Sequence, residues 1–376
     1  MKILHVCSYY ITSKLYRNLV ENLEDLGLYN EVYVPVHSDN LVDKYRGRES
    51  EKTEYIYSKC FNKIDRVNFK LKNKKIYSDL LKKVDLDKVD VVHAHSLFVN
   101  GYLAYKLKME KNIDYVVAVR NTDVNTFFKK MIHLRKIGVD ILKNAKKIIF
   151  ISPRYQEFVI DTYIPADLKE DIRKKSTVLP NGIDEFWFEN LYLEPRAMKK
   201  DDIKLIYVGK LDKNKNTSTI IKAVDILRDK GYGASLDVVG DGPEHSNLKK
   251  QAESSKSRDR IKFYGYMEKE DIINLYRKED IFVMPSKYET FGLVYIEAIT
   301  QGLPVVYTKN QGFDGYFDEG VVGYGVNYKD TEEISKTIIE MVDRKTWEFK
   351  DIEEGLKESF DWKKIATRYM DIYSAN

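Results

Sequence analysis

Short runs of consecutive apolar residues recur along this chain, each followed by a polar loop and then by apolar positions three and four residues apart. An unbroken apolar run of strand length fits a strand covered on both faces, and the stripe fits a helix laid over it. The alternation therefore predicts βαβ units and parallel sheets. Lys2 to Cys7 reads as the first strand, Ser8 to Ser13 as a loop, Leu15 to Leu26 as an amphipathic helix stopped at Gly27, and Glu31 to Val36 as the second strand. Residues 40 to 88 are polar and lysine-rich. Strands return at Asp90 to Ser96, Tyr115 to Val119 and Ile148 to Ser152. The same logic restarts with a strand at Lys204 to Val208 and a helix at Ser218 to Asp229. Strands follow at Leu236 to Val239, Ile261 to Gly265 and Ile281 to Met284. A helix at Leu293 to Thr300, a strand from Val305 and an amphipathic helix at Trp362 to Tyr373 complete the pattern.

Two such series in 376 residues exceed what one core serves, so two domains are expected. The turn Val178-Leu179-Pro180-Asn181-Gly182-Ile183-Asp184 marks where the chain leaves the first sheet, because Pro and Gly fix an irregular backbone there. The boundary is placed between Asp184 and Asp201, giving domains over 1–184 and 185–361.

Composition narrows the class. A hydrophobic fraction of 43% with 32% charge describes a soluble globular protein, and no run approaches 18 apolar residues. The start reads as a strand rather than a signal peptide. Cys7 and Cys60 build neither a disulfide framework nor a metal site and fit a reducing cytoplasm. No zinc spacing, P-loop or supported DxD pair occurs, so no metal or cofactor is expected. Residues 1 to 190 carry 33 basic and 26 acidic side chains, a net +7, against −3 for the remainder. Two basic stretches account for much of this. One joins Lys70, Lys72, Lys74, Lys75, Lys82 and Lys83 to an apolar stripe of Leu71, Ile76, Leu80, Leu81 and Val84; the other spans Phe127 to Lys147. Each can lie on anionic lipid or be the charged outer face of a helix packed on the sheet. The lysines form no nucleic-acid motif.

Candidate chemistry concentrates in Phe282 to Val306, FVMPSKYETFGLVYIEAITQGLPVV. In a parallel α/β sheet ligands sit in the loops after the strands' carboxyl ends. A helix starting there aims unpaired N–H groups and partial positive charge at them, so an anion is expected near Phe291 to Leu293. Glu289 and Glu297 flank this place, two helical turns or roughly 12 Å apart if helical throughout, too far for a glycosidase pair. They suit hydroxyl acceptors. Earlier, Gly209-Lys210-Leu211-Asp212-Lys213-Asn214-Lys215-Asn216 puts two cations, Lys210 and Lys215, in another loop at a strand's carboxyl end, able to neutralise a diphosphate without a metal.

The string PSxxExFGxxxxEAxxxGxPVV, the loop G-K-L-x-x-x-K-N, the turn Gly240-Asp241-Gly242-Pro243-Glu244, the strand D-x-x-H-x-H at Asp90 to His95 and the PNGID turn together resemble the GT4 class of retaining glycosyltransferases. The resemblance implies the GT-B fold, an α/β architecture of two Rossmann-like domains facing across a cleft, with the helix 362–376 packing back on the first. It implies sugar transfer from a nucleotide-diphospho-sugar, a UDP-sugar in this reading, to a hydroxyl of a glycan or lipid-linked acceptor, with retention and without metal. Lys210 and Lys215 would stabilise the leaving diphosphate. Glu289 would hold a sugar hydroxyl, Glu297 the ribose, and Thr290, Phe291, Gly292 and Leu293 the donor. His95 would contact donor sugar or acceptor, Arg120 and Asp123 would lie on the acceptor side, and Tyr266-Met267 would edge the base. The implied setting is cell-surface polysaccharide or glycoconjugate synthesis in the cytoplasm, with peripheral contact to anionic membrane. The chain departs from the pattern in three places: Tyr9-Tyr10-Ile11-Thr12 replaces a glycine pair, Lys210 an arginine, and Arg120 a histidine. An inactive partner subunit and a sugar-nucleotide epimerase of the same fold stay open as alternatives.

Overall fold

The computed structural model describes residues 1–349 and 351–375. The chain forms two compact units. The first holds Met1–Gly182 and the residues from Ser359 onward, and the second Ile183–Glu358.

The first unit carries β1 (Lys2–Val6), β2 (Tyr29–Val36), β3 (Thr53–Lys59), β4 (Val91–Ala94), β5 (Tyr115–Val119), β6 (Lys147–Phe150) and β7 (Ser176–Val178). They form one parallel sheet in the order β3-β2-β1-β4-β5-β6-β7. Its helices are α1 (Leu15–Asp25), α2 (Phe69–Lys83), α3 (Val99–Lys111), α4 (Arg135–Asn144), α5 (Pro153–Tyr163) and α6 (Lys169–Lys174). The second unit carries α7 (Glu185–Glu189), a two-stranded ribbon of β8 (Arg196–Ala197) with β15 (Thr346–Trp347), and β9 (Ile203–Val208) to β14 (Gly323–Val326). Between them lie β10 (Ala234–Val239), β11 (Ile261–Gly265), β12 (Ile281–Val283) and β13 (Val305–Thr308). These six form a second parallel sheet, β11-β10-β9-β12-β13-β14. Its helices are α8 (Thr217–Asp229), α9 (His245–Glu253), α10 (Lys269–Tyr276), α11 (Leu293–Thr300), α12 (Thr331–Asp343) and α13 (Glu353–Phe360). Finally α14 (Trp362–Ser374) returns to the first unit.

Both sheets reverse strand order at their centre, β1 against β4 and β9 against β12, and the loops leaving those strands are where a parallel sheet opens a ligand crevice. Strands β4, β5 and β13 are buried throughout, as unbroken apolar runs require. The α14 face of Trp362, Ile365, Ala366, Tyr369 and Tyr373 shares a core cluster with Ile3, Leu23, Val91 and Val116. Gly182 is fixed by this packing, since a Cβ there would stand 2.7 Å from the Trp362 ring.

Two sequence expectations are corrected, and one of two open alternatives is met. The polar segment 40–88 contains β3, an edge strand whose sequence, TEYIYSK, buries Thr53, Tyr55 and Ser58 rather than an apolar run. The stretch 127–147 is not one helix but a π-helical turn at Asp123–Phe128, a 3₁₀ turn at Ile132–Leu134 and then α4. The apolar stripes of both basic stretches are used by the core: Ile76, Leu80 and Val84 in one, Phe127, Phe128, Leu134, Ile141 and Leu142 in the other.

Candidate active site

The β9–α8 loop and the β12–α11 loop are stitched together by side-chain amides. Asn214 donates through Nδ2 to the Tyr288 carbonyl (2.8 Å) and accepts the Tyr288 N–H on Oδ1 (3.1 Å). Asn216 donates to the carbonyls of Pro285 (3.0 Å) and Tyr328 (2.6 Å). Asn216 sits in the left-handed region (φ 61°), which asparagine tolerates, just before α8. Neither residue was singled out from sequence; two asparagines alternating with lysines in one loop were the signal.

This stitching brings Lys215 onto Glu289, with Nζ 2.6 Å from Oε2 in a largely buried pair. The other carboxylate oxygen of Glu289 accepts the Thr290 N–H (3.1 Å), its own N–H donates to Gln311 Oε1 (3.1 Å), and its carbonyl accepts the Gly312 N–H (2.9 Å). Lys210 and Lys215, both expected at a diphosphate, take different partners in this loop. Lys210 is 66% exposed and leans 3.7 Å from Asp212. Four residues of irregular backbone between them, turned by Asp212 accepting the N–H groups of Asn214 and Lys215, send the two ammoniums to different partners.

Gly292 precedes α11 with φ 85°, and a Cβ there would meet the Tyr295 ring at 2.5 Å, so only glycine makes this entry. Leu293 and Val294 are the first helical residues and their N–H groups have no acceptor within the helix. Phe291 is buried against Phe313 and Tyr316 and acts as the anchor of this loop. Arg196 fixes the helix from its far end: buried, it donates to the carbonyls of Gln301 (2.7 Å), Gly302 (2.8 Å) and Tyr276 (3.0 Å), and also to Glu279. Glu297 rides on α11, partly buried; its carbonyl accepts the Thr300 hydroxyl (2.7 Å), and its carboxylate has no hydrogen bond from any described residue. Burial, with Asp184 nearby, pushes its carboxyl up to about 7, only partly opposed by Lys269. A carboxylate so placed lacks donors that a diol would supply. Tyr266, after β11, is 73% exposed.

In the first unit His5, His93 and His95 cluster at the β1–β4 reversal, all buried. Asn30 uses its amide nitrogen on Leu28 and Thr53, so its Oδ1 accepts from His5 Nε2 (3.0 Å). Burial holds His5 down to about 4 and keeps it neutral, so its Nδ1 must accept from His95 Nε2 (3.0 Å). That leaves His95 Nδ1 a buried lone pair with no partner among the described residues. His93 bonds to the Tyr373 hydroxyl (2.7 Å) of α14. Ligand atoms of the three rings lie within 4.8 Å of one another. The rings of His93 and His95 stack at 3.9 Å and 27°, however, which runs their lone pairs side by side rather than converging on one ion.

His95 is 1% exposed and has the Tyr16 ring edge-on, so it is an interior group and does not face solvent. Asp123 is likewise interior. Its carboxylate accepts the N–H groups of Leu97, Phe98 and Arg120 at 3.0, 3.1 and 2.9 Å, fixing the β4–α3 loop, and burial still pushes it up to about 6. Only Arg120 of the acceptor-side group is partly exposed. Its guanidinium makes long bonds to the His95 carbonyl (3.4 Å) and Asn181 (3.5 Å), with no carboxylate at ion-pair distance among the described residues.

Two Rossmann-type parallel sheets, the second with a cation-carboxylate pair and an open helix start at its reversal, define the GT-B glycosyltransferase architecture. Two family models match in succession: Glycosyltransferase Family 4 over residues 13–185 and Glycosyl transferases group 1 over 191–355. The chain belongs to the GT4-type glycosyltransferases. Among relatives, it is 25% identical to a glycogen synthase of Mycobacterium tuberculosis over 308 residues, 78% of this chain and 72% of that protein. It is also 25% identical to an alpha-monoglucosyldiacylglycerol synthase of Acholeplasma laidlawii over 270 residues, 67% of this chain and 66% of that protein. Sucrose-phosphate synthase from Thermosynechococcus elongatus superposes with a TM-score of 0.77 at 19% identity, covering 99% of this chain and 98% of that one. The Anabaena protein HepE, solved in complex with UDP, does so with 0.75 at 17% identity, each chain fully covered.

Proposed function

We propose that this glycosyltransferase moves a sugar from a nucleotide-diphospho-sugar, a UDP-sugar, to a hydroxyl of a glycan or lipid-linked acceptor, with retention of anomeric configuration and without a metal ion. The observation that carries the reading is the Lys215–Glu289 pair beside the unpaired N–H groups of Leu293 and Val294. An incoming diphosphate competes for the Lys215 ammonium, and the Glu289 carboxylate it releases becomes an acceptor for a sugar hydroxyl. When the bond from the anomeric carbon to the phosphate oxygen breaks, its electron pair stays on the diphosphate. Lys215 and the helix N–H groups then stabilise charge that grows towards the transition state. The acceptor oxygen bonds to the anomeric carbon on the face being vacated, and its proton passes to the departing phosphate oxygen, so products are a glycoside and a nucleoside diphosphate. Lys210, being solvent-exposed, is free to swing onto the same phosphates. Glu297 accepts from the ribose hydroxyls, and Arg120 faces an anionic group of the acceptor. The setting is cell-surface polysaccharide or glycoconjugate synthesis.

The test is a panel of UDP-, GDP- and ADP-sugars, reading nucleoside diphosphate release and, by NMR, the configuration of the first-formed product. Release from no donor, or an inverted product, overturns the reading.

A further inference from the structure

We infer that a hollow at the edge of the second sheet binds a ring-bearing phosphomonoester, a ligand distinct from the sugar donor and its acceptor. The hollow, about 540 Å³, lies between α9 and β11, the strand at the end of that sheet. Its size is that of a small-molecule site. Lys249, Ala252 and Glu253 form one wall, three and four residues apart and so on one face of α9. Ile261, Lys262 and Phe263 form the other, and Arg258, in the 3₁₀ turn Arg258–Arg260, closes the end. The last turns of α9 and the first residues of β11 thus line it. It therefore lies towards the ends of the strands opposite the loops of Lys215 and Glu289, and no residue of those loops takes part.

Three cations stand round an apolar floor. Ala252 is buried, Ile261 and Phe263 are half-buried, and the His245 ring meets Phe263 edge-on at 5.8 Å. Lys249 and Arg258 are exposed and carry no ion pair among the described residues. The acidic groups nearby are committed elsewhere: Asp259 to Arg228 (2.8 Å) and Arg260 (3.7 Å), Asp229 to Lys256 (2.7 Å), and Asp237 to the Tyr264 hydroxyl (2.7 Å). Lys262 leans over the Tyr264 ring at 4.3 Å. The turn that presents Arg258 is rigid, because Asp225 Oδ1 accepts from the Ser255 hydroxyl (2.6 Å) and from both the N–H (3.0 Å) and the hydroxyl (2.7 Å) of buried Ser257. A guanidinium fork with lysine point charges beside it suits the oxygens of a phosphomonoester dianion. The floor covers one face of a ring, which inorganic phosphate would leave bare. Glu253, also without an ion pair among the described residues, accepts from ring hydroxyls and repels a second anionic group. Strand addition along β11 fits less well, since Lys262 at its middle puts a charge where sheet edges carry one to stay unpaired.

Calorimetric titration of the full chain with glucose 6-phosphate and with adenosine monophosphate tests it, beside inorganic phosphate and glucose. At least one of the two phosphomonoesters is expected to bind at a single site, about tenfold tighter than inorganic phosphate through the covered ring face, and glucose not at all. The variant K249Q/R258Q should weaken that binding about 30-fold. The variant K230Q/K336Q, which removes two exposed lysines elsewhere on the second unit, should leave it unchanged, and so should Lys215→Ala at the donor loops. Thermal melts check that each variant is folded. Binding of neither phosphomonoester overturns the proposal. So does inorganic phosphate binding as tightly as the esters, which marks a bare patch of charge, or a folded K249Q/R258Q variant with wild-type affinity. Equal weakening by K230Q/K336Q, or loss of binding in folded Lys215→Ala, also overturns it, the first as diffuse attraction and the second as binding in the donor site. Nucleoside diphosphate release from sugar donors reads the transfer reaction separately, and its failure leaves this site standing.

Discussion

Glu297→Gln is predicted to make the protein more stable and the donor bind worse, with both effects tied to pH. Burial raises the folded carboxyl to about 7 from its ordinary 4.5, so between those values the folded unit keeps a proton that the unfolded chain has released. Stability from this group is therefore full below 4.5 and falls as pH rises to about 7. Two and a half pH units set a ceiling of about 3 kcal/mol, and partial exposure reduces it to about 1 to 2 kcal/mol. For a unit of this size that is a gain in melting temperature of about 2 to 8 °C for the glutamine variant at about pH 8, vanishing near pH 4. Bound hydroxyls reverse the sign, because they donate to the ionised carboxylate. Losing that acceptor should weaken donor binding about tenfold to a hundredfold at about pH 8. Wild-type affinity should itself fall as pH drops through about 7, and the two proteins should converge near pH 6. Thermal melts across pH and calorimetric titration with nucleotide-sugar measure both. A variant no more stable than wild type at about pH 8, together with wild-type affinity flat across this range, would show that the carboxylate is neither strained in the free protein nor used by the donor.

Lys215→Ala should lower kcat/KM by about 2 kcal/mol or more, and Glu289→Gln should lower kcat along with kcat/KM, because both act where charge develops; Lys210→Arg should be tolerated. Unchanged steady-state rates in folded Lys215 and Glu289 variants would count against the exchange of partners at this pair. Turnover should survive EDTA, and abolition by chelation with rescue by a divalent ion would refute the lysine-based account. Arg196→Met should cost about 3 kcal/mol of second-unit stability, since it strips the donor from helix-end carbonyls that stay buried; a melting temperature unchanged in that variant would argue that water replaces the guanidinium.

Some elements were readable at once: the buried strand Tyr115–Val119, the strand Ile261–Gly265 and the helix Leu293–Thr300 appear in the structure at the bounds their sequence suggests. The edge strand Thr53–Lys59 was not, because a strand covered on one side needs no continuous apolar run and its tyrosines read as polar. Basic amphipathic stretches were legible as amphipathic, but sequence does not say which side the apolar stripe serves; in α2 Ile76, Leu80 and Val84 are core while Leu71 and Leu81 are exposed, and the most exposed aliphatics are Ile64 and Val67, in a turn with no periodicity to announce it. At the site, spacing identified Lys215 and Glu289 separately and missed that they meet across 74 residues of chain, held by Asn214 and Asn216. Asp123 and His95 carry chemically suggestive side chains whose interior placement only the packing reveals.

The first unit is built from two stretches of chain separated by the whole of the second. During synthesis, Ile3, Leu23, Val91 and Val116 leave the ribosome long before the Trp362, Ile365 and Tyr369 that cover them, and His93 waits 280 residues for the Tyr373 hydroxyl. At about 5 to 20 residues per second the early half therefore spends tens of seconds with part of its sheet uncovered, whereas the second unit has every element it needs in one continuous run. The unit begun first is finished last. Its exposure to chaperones and proteases is set by translation time, and a lesion in α14 strikes the domain that the opening residues began.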